Sequence, residues 1–137
     1  MPSTIGGSCV CGAVKFQIEP PFVGFQYCHC SRCRKSSGSA HCANLFVPTD
    51  QLAWERGEAH VRRFELPGAR YWCTAFCDEC GSTMPWVSKT GKAFIVAAGA
   101  LDKDPGVRPS KSVFHGSRAD WYVDVSALEA YDTYPKG

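Results

Sequence analysis

The sequence lacks a long apolar run, and this absence argues against a membrane span. No stretch of the 137 residues approaches the roughly 18 consecutive apolar residues that a membrane-spanning helix requires. The first seven residues, Met1–Gly7, also lack the charged and apolar regions of a signal peptide. We therefore expect a cytoplasmic protein with no membrane partner.

A strong charge of one sign is missing as well. The formal net charge is only +2. The basic residues form only two small groups, Arg32-x-Arg34-Lys35 and Arg62-Arg63. This weak charge argues against nucleic acid as a partner.

Signals for helices are scarce, whereas 13 glycines and nine prolines punctuate the chain. Short helical turns are indicated at residues 32–37, directly after Pro48, and at 126–130. Alternating apolar residues predict a strand over 14–18. Further strands are predicted at 22–27, 41–47, 60–66, 71–77 and 93–98. The fold class we expect is mainly β: one domain over residues 1–137, with two small sheets and a few short helical turns.

Cysteine is the abundant residue, with nine in the chain. An odd number of cysteines in a compartment that keeps thiols reduced favours metal binding over disulfides. Seven of them form three clusters: Cys9-x-Cys11-Gly12, Cys28-x-Cys30-x-x-Cys33 and Cys77-x-x-Cys80-Gly81. The other two, Cys42 and Cys73, lie on predicted strands, where we expect them to pack as small apolar side chains.

The first and third clusters have the pattern of zinc knuckles. In such a turn backbone N–H groups approach the sulfur atoms, and the following glycine tolerates the positive φ that results. Together these clusters supply four thiolates, Cys9, Cys11, Cys77 and Cys80, which would complete the coordination of one zinc ion. We expect this closed site to be structural.

The middle cluster supplies only three thiolates, Cys28, Cys30 and Cys33, and basic residues follow it instead of glycine. Three protein ligands leave a fourth position for a substrate, which is typical of catalytic zinc. Thiolate ligands match the softness of zinc, and an iron–sulfur cluster is the lesser possibility. A closed site, with His29, His41 or Cys42 as fourth ligand, is the alternative. Because His29 lies between two ligands, we expect its side chain to point away from the metal.

Three ordered motifs resemble the glutathione-dependent formaldehyde-activating enzyme family, whose domain also occurs in centromere protein V. They are Gly7-Ser8-Cys9-x-Cys11-Gly12, Cys28-His29-Cys30-Ser31-x-Cys33-Arg34-Lys35 and Phe76-Cys77-x-x-Cys80-Gly81-Ser82. The resemblance continues through residues 97–102 and 116–122. The chain departs from the family pattern at Ser112-Val113-Phe114, where many members have His-Ile-Phe, and at Ala119-Asp120-Trp121, where many have Ala-Pro-Trp.

The resemblance implies a β-rich, tent-like fold with two zinc ions per chain, one structural and one catalytic. By position, Cys9, Cys11, Cys77 and Cys80 take the structural role, and Cys28, Cys30 and Cys33 the catalytic one. The family activity is the condensation of glutathione with formaldehyde, formally a carbon–sulfur lyase reaction in reverse. The implied partners are therefore a small thiol such as glutathione and a small aldehyde.

Two alternatives concern the use of this site. Arg32, Arg34 and Lys35 are candidate ligands for the carboxylates of a thiol such as glutathione, or else they form a solvated basic turn. The whole domain is either an enzyme or a non-catalytic zinc scaffold that binds another protein.

Overall fold

The computed structural model describes residues 3–135, in which short strands predominate. The strands are β1 (Ile5–Ser8), β2 (Lys15–Ile18), β3 (Gly24–Cys28), β4 (Cys42–Pro48), β5 (Leu52–Arg56), β6 (Val61–Glu65), β7 (Cys73–Cys77), β8 (Trp86–Val87), β9 (Ala93–Ala97) and β10 (Lys111–Val113). One α-helix, α1, spans Ser31–Ser37, and single 3-10 turns lie at Thr49–Gln51, Glu58–His60, Ala98–Ala100, His115–Ser117 and Val125–Ala127. The mainly β prediction is confirmed.

The strands form three sheets, where the sequence predicted two. A three-stranded sheet has the order β1-β2-β5, a five-stranded sheet the order β10-β3-β4-β9-β8, and the hairpin β6-β7 stands as a two-stranded sheet. Every pairing is antiparallel except that of β10 with β3, which is parallel. The prediction missed this third sheet because alternation identifies single strands but not their partners.

Six of the ten strands were predicted within a few residues, and the other four were missed for local reasons. Strand β1 consists of Ile-Gly-Gly-Ser, and glycine is depleted in strands. Gly7 is nevertheless required there, since an added Cβ would lie 2.2 Å from the Phe16 ring on β2. Strands β8 and β10 have only two and three residues, too few for a pattern.

The main core lies where the three-stranded and five-stranded sheets face each other. Its fully buried side chains include Phe16 and Ile18 from β2, Leu45 and Val47 from β4, and Val96 from β9. The alternation predicted for β2 is observed, because Phe16 and Ile18 are buried while Lys15 and Gln17 are half-buried. No helix in residues 3–135 is long and apolar enough to cross a membrane.

Leu45→Ala should destabilise the fold, because Leu45 is fully buried between the sheets. Removing a buried leucine side chain costs about 2–5 kcal/mol, through lost burial and the cavity left behind. Leu128→Ala is the matched control, since Leu128 is 54% exposed. Urea unfolding of the metal-loaded variants measures both changes, and equal midpoints for the two would contradict the assigned core.

Candidate metal centres

Four cysteines from distant parts of the chain meet as predicted. The sulfur atoms of Cys9, Cys11, Cys77 and Cys80 all lie within 4.8 Å of one another. Cys11 Sγ and Cys77 Sγ are 4.0 Å apart although their residues are separated by 66 positions. The group therefore joins the end of β1 to the end of the β6-β7 hairpin.

Local turns aim these thiols at a common point. Gly12 and Gly81 have φ values of 80° and 79°, as the knuckle pattern predicts. The Gly12 N–H donates to the Cys9 carbonyl at 3.0 Å, and the Gly81 N–H donates to the Cys77 carbonyl at 2.7 Å. Each turn thus reverses the chain directly after its cysteine pair.

Hydrogen bonds to sulfur favour the thiolate form of Cys9 and Cys80, whereas burial raises the pKa of Cys77. The Val14 N–H donates to Cys9 Sγ at 3.2 Å. Hydrogen bonds from the hydroxyl and the backbone N–H of Ser82 lower the pKa of Cys80 to about 6. Four thiols with N–H and hydroxyl donors around them form a donor set that fits zinc, which prefers thiolate ligands.

The second group, Cys28, Cys30 and Cys33, lies where β3 ends and α1 begins. Its three sulfur atoms also lie within 4.8 Å of one another. Cys30 is the N-cap of α1, and its sulfur accepts a hydrogen bond from the Cys33 N–H at 3.3 Å. The cap therefore holds the Cys30 sulfur close to Cys33 in the first turn of the helix.

Burial makes ionisation of this second group costly without a cation. Burial and the neighbouring thiol of Cys33 raise the pKa of Cys28 to about 12. A nearby cation offsets both effects, because it stabilises the thiolate forms. Both cysteine groups can therefore bind metal, and their donor chemistry suits zinc.

A cavity of about 770 Å³ gives small molecules access to only one of the two cysteine groups. It lies against the five-stranded sheet, and its wall includes all three cysteines of the second group. None of the four cysteines of the first group lines it. A molecule in the cavity can thus reach the second group and not the first.

Of the three predicted cationic residues, the structure brings only Arg32 to the cavity wall. Arg34 instead turns its guanidinium toward the backbone, where Nε donates to the His29 carbonyl at 3.4 Å. Lys35 is exposed and does not line the cavity. A second cation on the wall, Arg70, was missed, because its place in a loop before β7 gave no signal.

Aromatic residues form part of the cavity wall, and the sequence assigned them no role. Tyr71, Trp72, Trp86 and Phe114 line the cavity. The Arg70 guanidinium lies 5.2 Å from the centre of the Tyr71 ring. The sequence alone does not distinguish a tryptophan that lines the cavity from one that packs in the core. Trp54, for example, packs against Phe16 and Phe94 in the main core.

The remaining cysteines differ from each other. Cys73 is 3% exposed and packs with Ala75 and Trp86, as expected, while its sulfur accepts a hydrogen bond from Arg63 at 3.3 Å. Cys42 is only half-buried and lines the cavity, so the expectation that it packs as an apolar core residue is wrong.

The histidine between two cysteines points away from the thiols, as expected. His29 is 1% exposed, and its ring centre lies 5.0 Å from those of His41 and Tyr122 and 5.3 Å from that of His115. Its Nδ1 has no hydrogen-bond partner within residues 3–135. Burial lowers the pKa of His29, so the neutral imidazole is favoured there.

The cavity wall also includes a strained residue where the chain departs from the family motif. Val113 and Phe114 line the cavity, and Phe114 has a φ of 51°, in the left-handed region. It is the only non-glycine residue with positive φ within residues 3–135. Such strain costs about 1–3 kcal/mol and clusters at functional sites.

Comparisons with known proteins agree with this geometry. The family model described as "Glutathione-dependent formaldehyde-activating enzyme" matches residues 4–117, which include both cysteine groups. The chain belongs to this family. A Halomonas elongata protein with the provisional name glutathione-dependent formaldehyde-activating enzyme is 31% identical over 134 residues, covering 90% of this chain and 82% of that protein.

A solved structure shares the fold of this family member. It is a crystal structure of a Rhodobacter sphaeroides protein, with a TM-score of 0.58 and 23% sequence identity. The match covers 78% of this chain and 98% of the other. This likeness extends the fold assignment beyond the short motifs that carry the cysteines.

Cys77→Ser should lower the metal content and unfold the protein, because a zinc ion held by four thiols would contribute on the order of 10 kcal/mol to folding. Cys73→Ser is the matched control: both cysteines are buried on β7, but only Cys77 belongs to a four-thiol group. Elemental analysis and circular dichroism measure metal content and fold. Equal metal content in both variants would contradict the assignment of Cys77 as a ligand.

Proposed function

We propose that this chain is a zinc-dependent enzyme of the carbon–sulfur lyase type, which joins a small thiol such as glutathione to formaldehyde or a related small carbonyl. It would act as one zinc domain in the cytoplasm. The observation that carries the proposal is the access of the cavity to the three-cysteine group alone. The family membership and the name of the Halomonas relative support the substrate classes.

In this proposal the two cysteine groups have different tasks. Cys9, Cys11, Cys77 and Cys80 hold a structural zinc ion, and Cys28, Cys30 and Cys33 hold a catalytic one. The free state of all nine cysteines in residues 3–135 supports a reducing compartment. The closed donor set lies outside the cavity wall, which is consistent with a purely structural role.

The chemistry that bound zinc supplies at an open site is a lowered pKa for a thiol ligand and a polarised carbonyl. Three thiolates leave the centre near −1, which favours exchange of thiols over activation of water. The aromatic side chains of Trp72 and Trp86 on the wall reduce the access of water to the reacting atoms.

Two cationic side chains of the cavity wall match the negative charge of the proposed thiol substrate. Glutathione carries two carboxylates, and the exposed guanidinium groups of Arg32 and Arg70 are cations of the wall. Arginine suits this role because its planar group binds a carboxylate through two parallel hydrogen bonds. We therefore assign Arg32, and not Arg34 or Lys35, to substrate binding.

The central test measures exchange of ¹³C-formaldehyde between its free and thiol-bound forms by NMR. With glutathione, the zinc-loaded protein should accelerate exchange above the protein-free rate, and Cys30→Ser should return it to that rate with the fold intact. Cys73→Ser, which alters a cavity cysteine outside the three-cysteine group, is the control. If the wild-type protein accelerates exchange for no aldehyde in a panel, the enzyme proposal fails and a binding scaffold is favoured.

Arg32→Ala should raise the glutathione concentration that gives half-saturation about two- to fivefold, because exposed charge pairs contribute up to about 1 kcal/mol. Saturation by the uncharged thiol 2-mercaptoethanol should not change. Arg34→Ala provides the control, since Arg34 lies on the same helix but off the cavity wall. The same loss for both thiols, or the same loss in both variants, would exclude a charge-specific role for Arg32.

A further inference from the structure

A fourth thiol, Cys42, lies beside the three-cysteine group. Strands β3 and β4 pair antiparallel with Cys28 directly opposite Cys42. Residues opposite each other in such a pair have their side chains on one face, with Cβ atoms about 4.5–5.5 Å apart. Cys42 also shares the cavity wall with Cys28, Cys30 and Cys33.

Cys42 contacts this group without being part of it. Its sulfur donates to the Cys33 carbonyl oxygen at 3.4 Å. The sulfur does not belong to the set of atoms that all lie within 4.8 Å of one another. Cys42 is thus a neighbouring thiol that is held by a weak hydrogen bond outside the set of three sulfur atoms.

Of the two histidines that compete for the fourth position, His29 lies off the cavity wall, and His41 lies on it with its ring held by a stacking contact. The His29 ring is buried among His41, His115 and Tyr122 and does not line the cavity. The His41 ring stacks on Tyr27, with ring centres 4.1 Å apart, and its Nδ1 lies 3.1 Å from the Cys42 carbonyl oxygen. Neither histidine joins the three-cysteine group within the described part of the chain.

We propose that Cys42 is a displaceable fourth ligand of the three-cysteine site, present when no substrate thiol is bound. This proposal rests on the function proposed above, since it assumes a zinc ion at Cys28, Cys30 and Cys33. Cys42 leaves when a thiol enters the cavity, and the proton of the incoming thiol passes to the Cys42 sulfur. The number of thiolates and the total charge are therefore the same before and after the exchange.

The exchange has a physical advantage over an open site. One sulfur ligand replaces another of the same chemical type, so little free energy is lost when the substrate thiol binds. A resting site with four thiolates also excludes water and oxygen ligands, which bind a thiolate-rich zinc centre less favourably. Cys42 thereby selects thiols over other molecules that enter the cavity.

The resting state can be tested by zinc X-ray absorption on the full chain loaded with zinc in a thiol-free buffer. Averaged over both ions, the wild-type protein should show about four sulfur ligands per zinc, and Cys42→Ser about three and a half. Cys73→Ser should keep about four, since Cys73 lines the same cavity outside the group. A wild-type value of about three and a half would overturn the proposal.

The exchange itself is tested on the wild-type protein, so it does not depend on whether a variant folds. Iodoacetamide labelling with peptide mapping should modify Cys42 slowly in the zinc-loaded protein, and saturating 2-mercaptoethanol should raise the ratio of Cys42 to Cys73 labelling at least about tenfold. The ratio is compared because the added thiol also consumes iodoacetamide and lowers the labelling of every cysteine alike. Cys28, Cys30 and Cys33 should stay protected. An equal ratio with and without the thiol would overturn the proposal.

These measurements separate the ligand proposal from the proposed enzyme. Four sulfur ligands with thiol-dependent Cys42 labelling, but without accelerated formaldehyde exchange, would support the role of Cys42 and reject the carbon–sulfur chemistry. Accelerated exchange with about three and a half sulfur ligands would support the chemistry and reject Cys42. The outcomes therefore address different statements about the same site.

Discussion

The structure depends on the clustering of thiols that repel one another once they are ionised. Four sulfur atoms converge between β1 and the β6-β7 hairpin, and three converge at the start of α1. Burial and neighbouring thiols make such clusters unfavourable as thiolates unless a cation is present, as the raised pKa of Cys28 shows. A metal ion offsets this cost and stabilises the fold, because one ion bonds to several sulfur atoms and links distant segments of the chain.

The difference between the two clusters arises from their surroundings. The four-cysteine group is formed by two tight turns that face each other, and the Val10 N–H donates to the Ser82 hydroxyl across them at 3.0 Å. The three-cysteine group lies at a strand-to-helix junction that borders the 770 Å³ cavity. Two cysteine groups of similar chemistry therefore have unequal access to small molecules, and this difference is the basis of the two roles that we propose for them.

The cavity wall combines three kinds of contact that suit a thiol with charged ends. The lining includes three clustered cysteines, the rings of Trp72 and Trp86, and the cationic side chains of Arg32 and Arg70. The left-handed backbone at Phe114 lies on the same wall. Strain at that residue is maintained by the surrounding fold, which is consistent with a position set by function and not by local preference.

The sequence alone determined the cysteine groups, the mainly β class and six strands, because these features depend on local spacing. The turns at Gly12 and Gly81 and the alternation in β2 are properties of a few neighbouring residues.

Only the tertiary structure decided which side chains share the cavity. Arg32 and Arg34 are two positions apart on one helix, yet only Arg32 faces the wall, since residues at that spacing point in different directions. Cys42 meets Cys28 through strand pairing, and Trp86 reaches the wall from a two-residue strand. Such contacts depend on the register and packing of segments far apart in the chain, which no local pattern specifies.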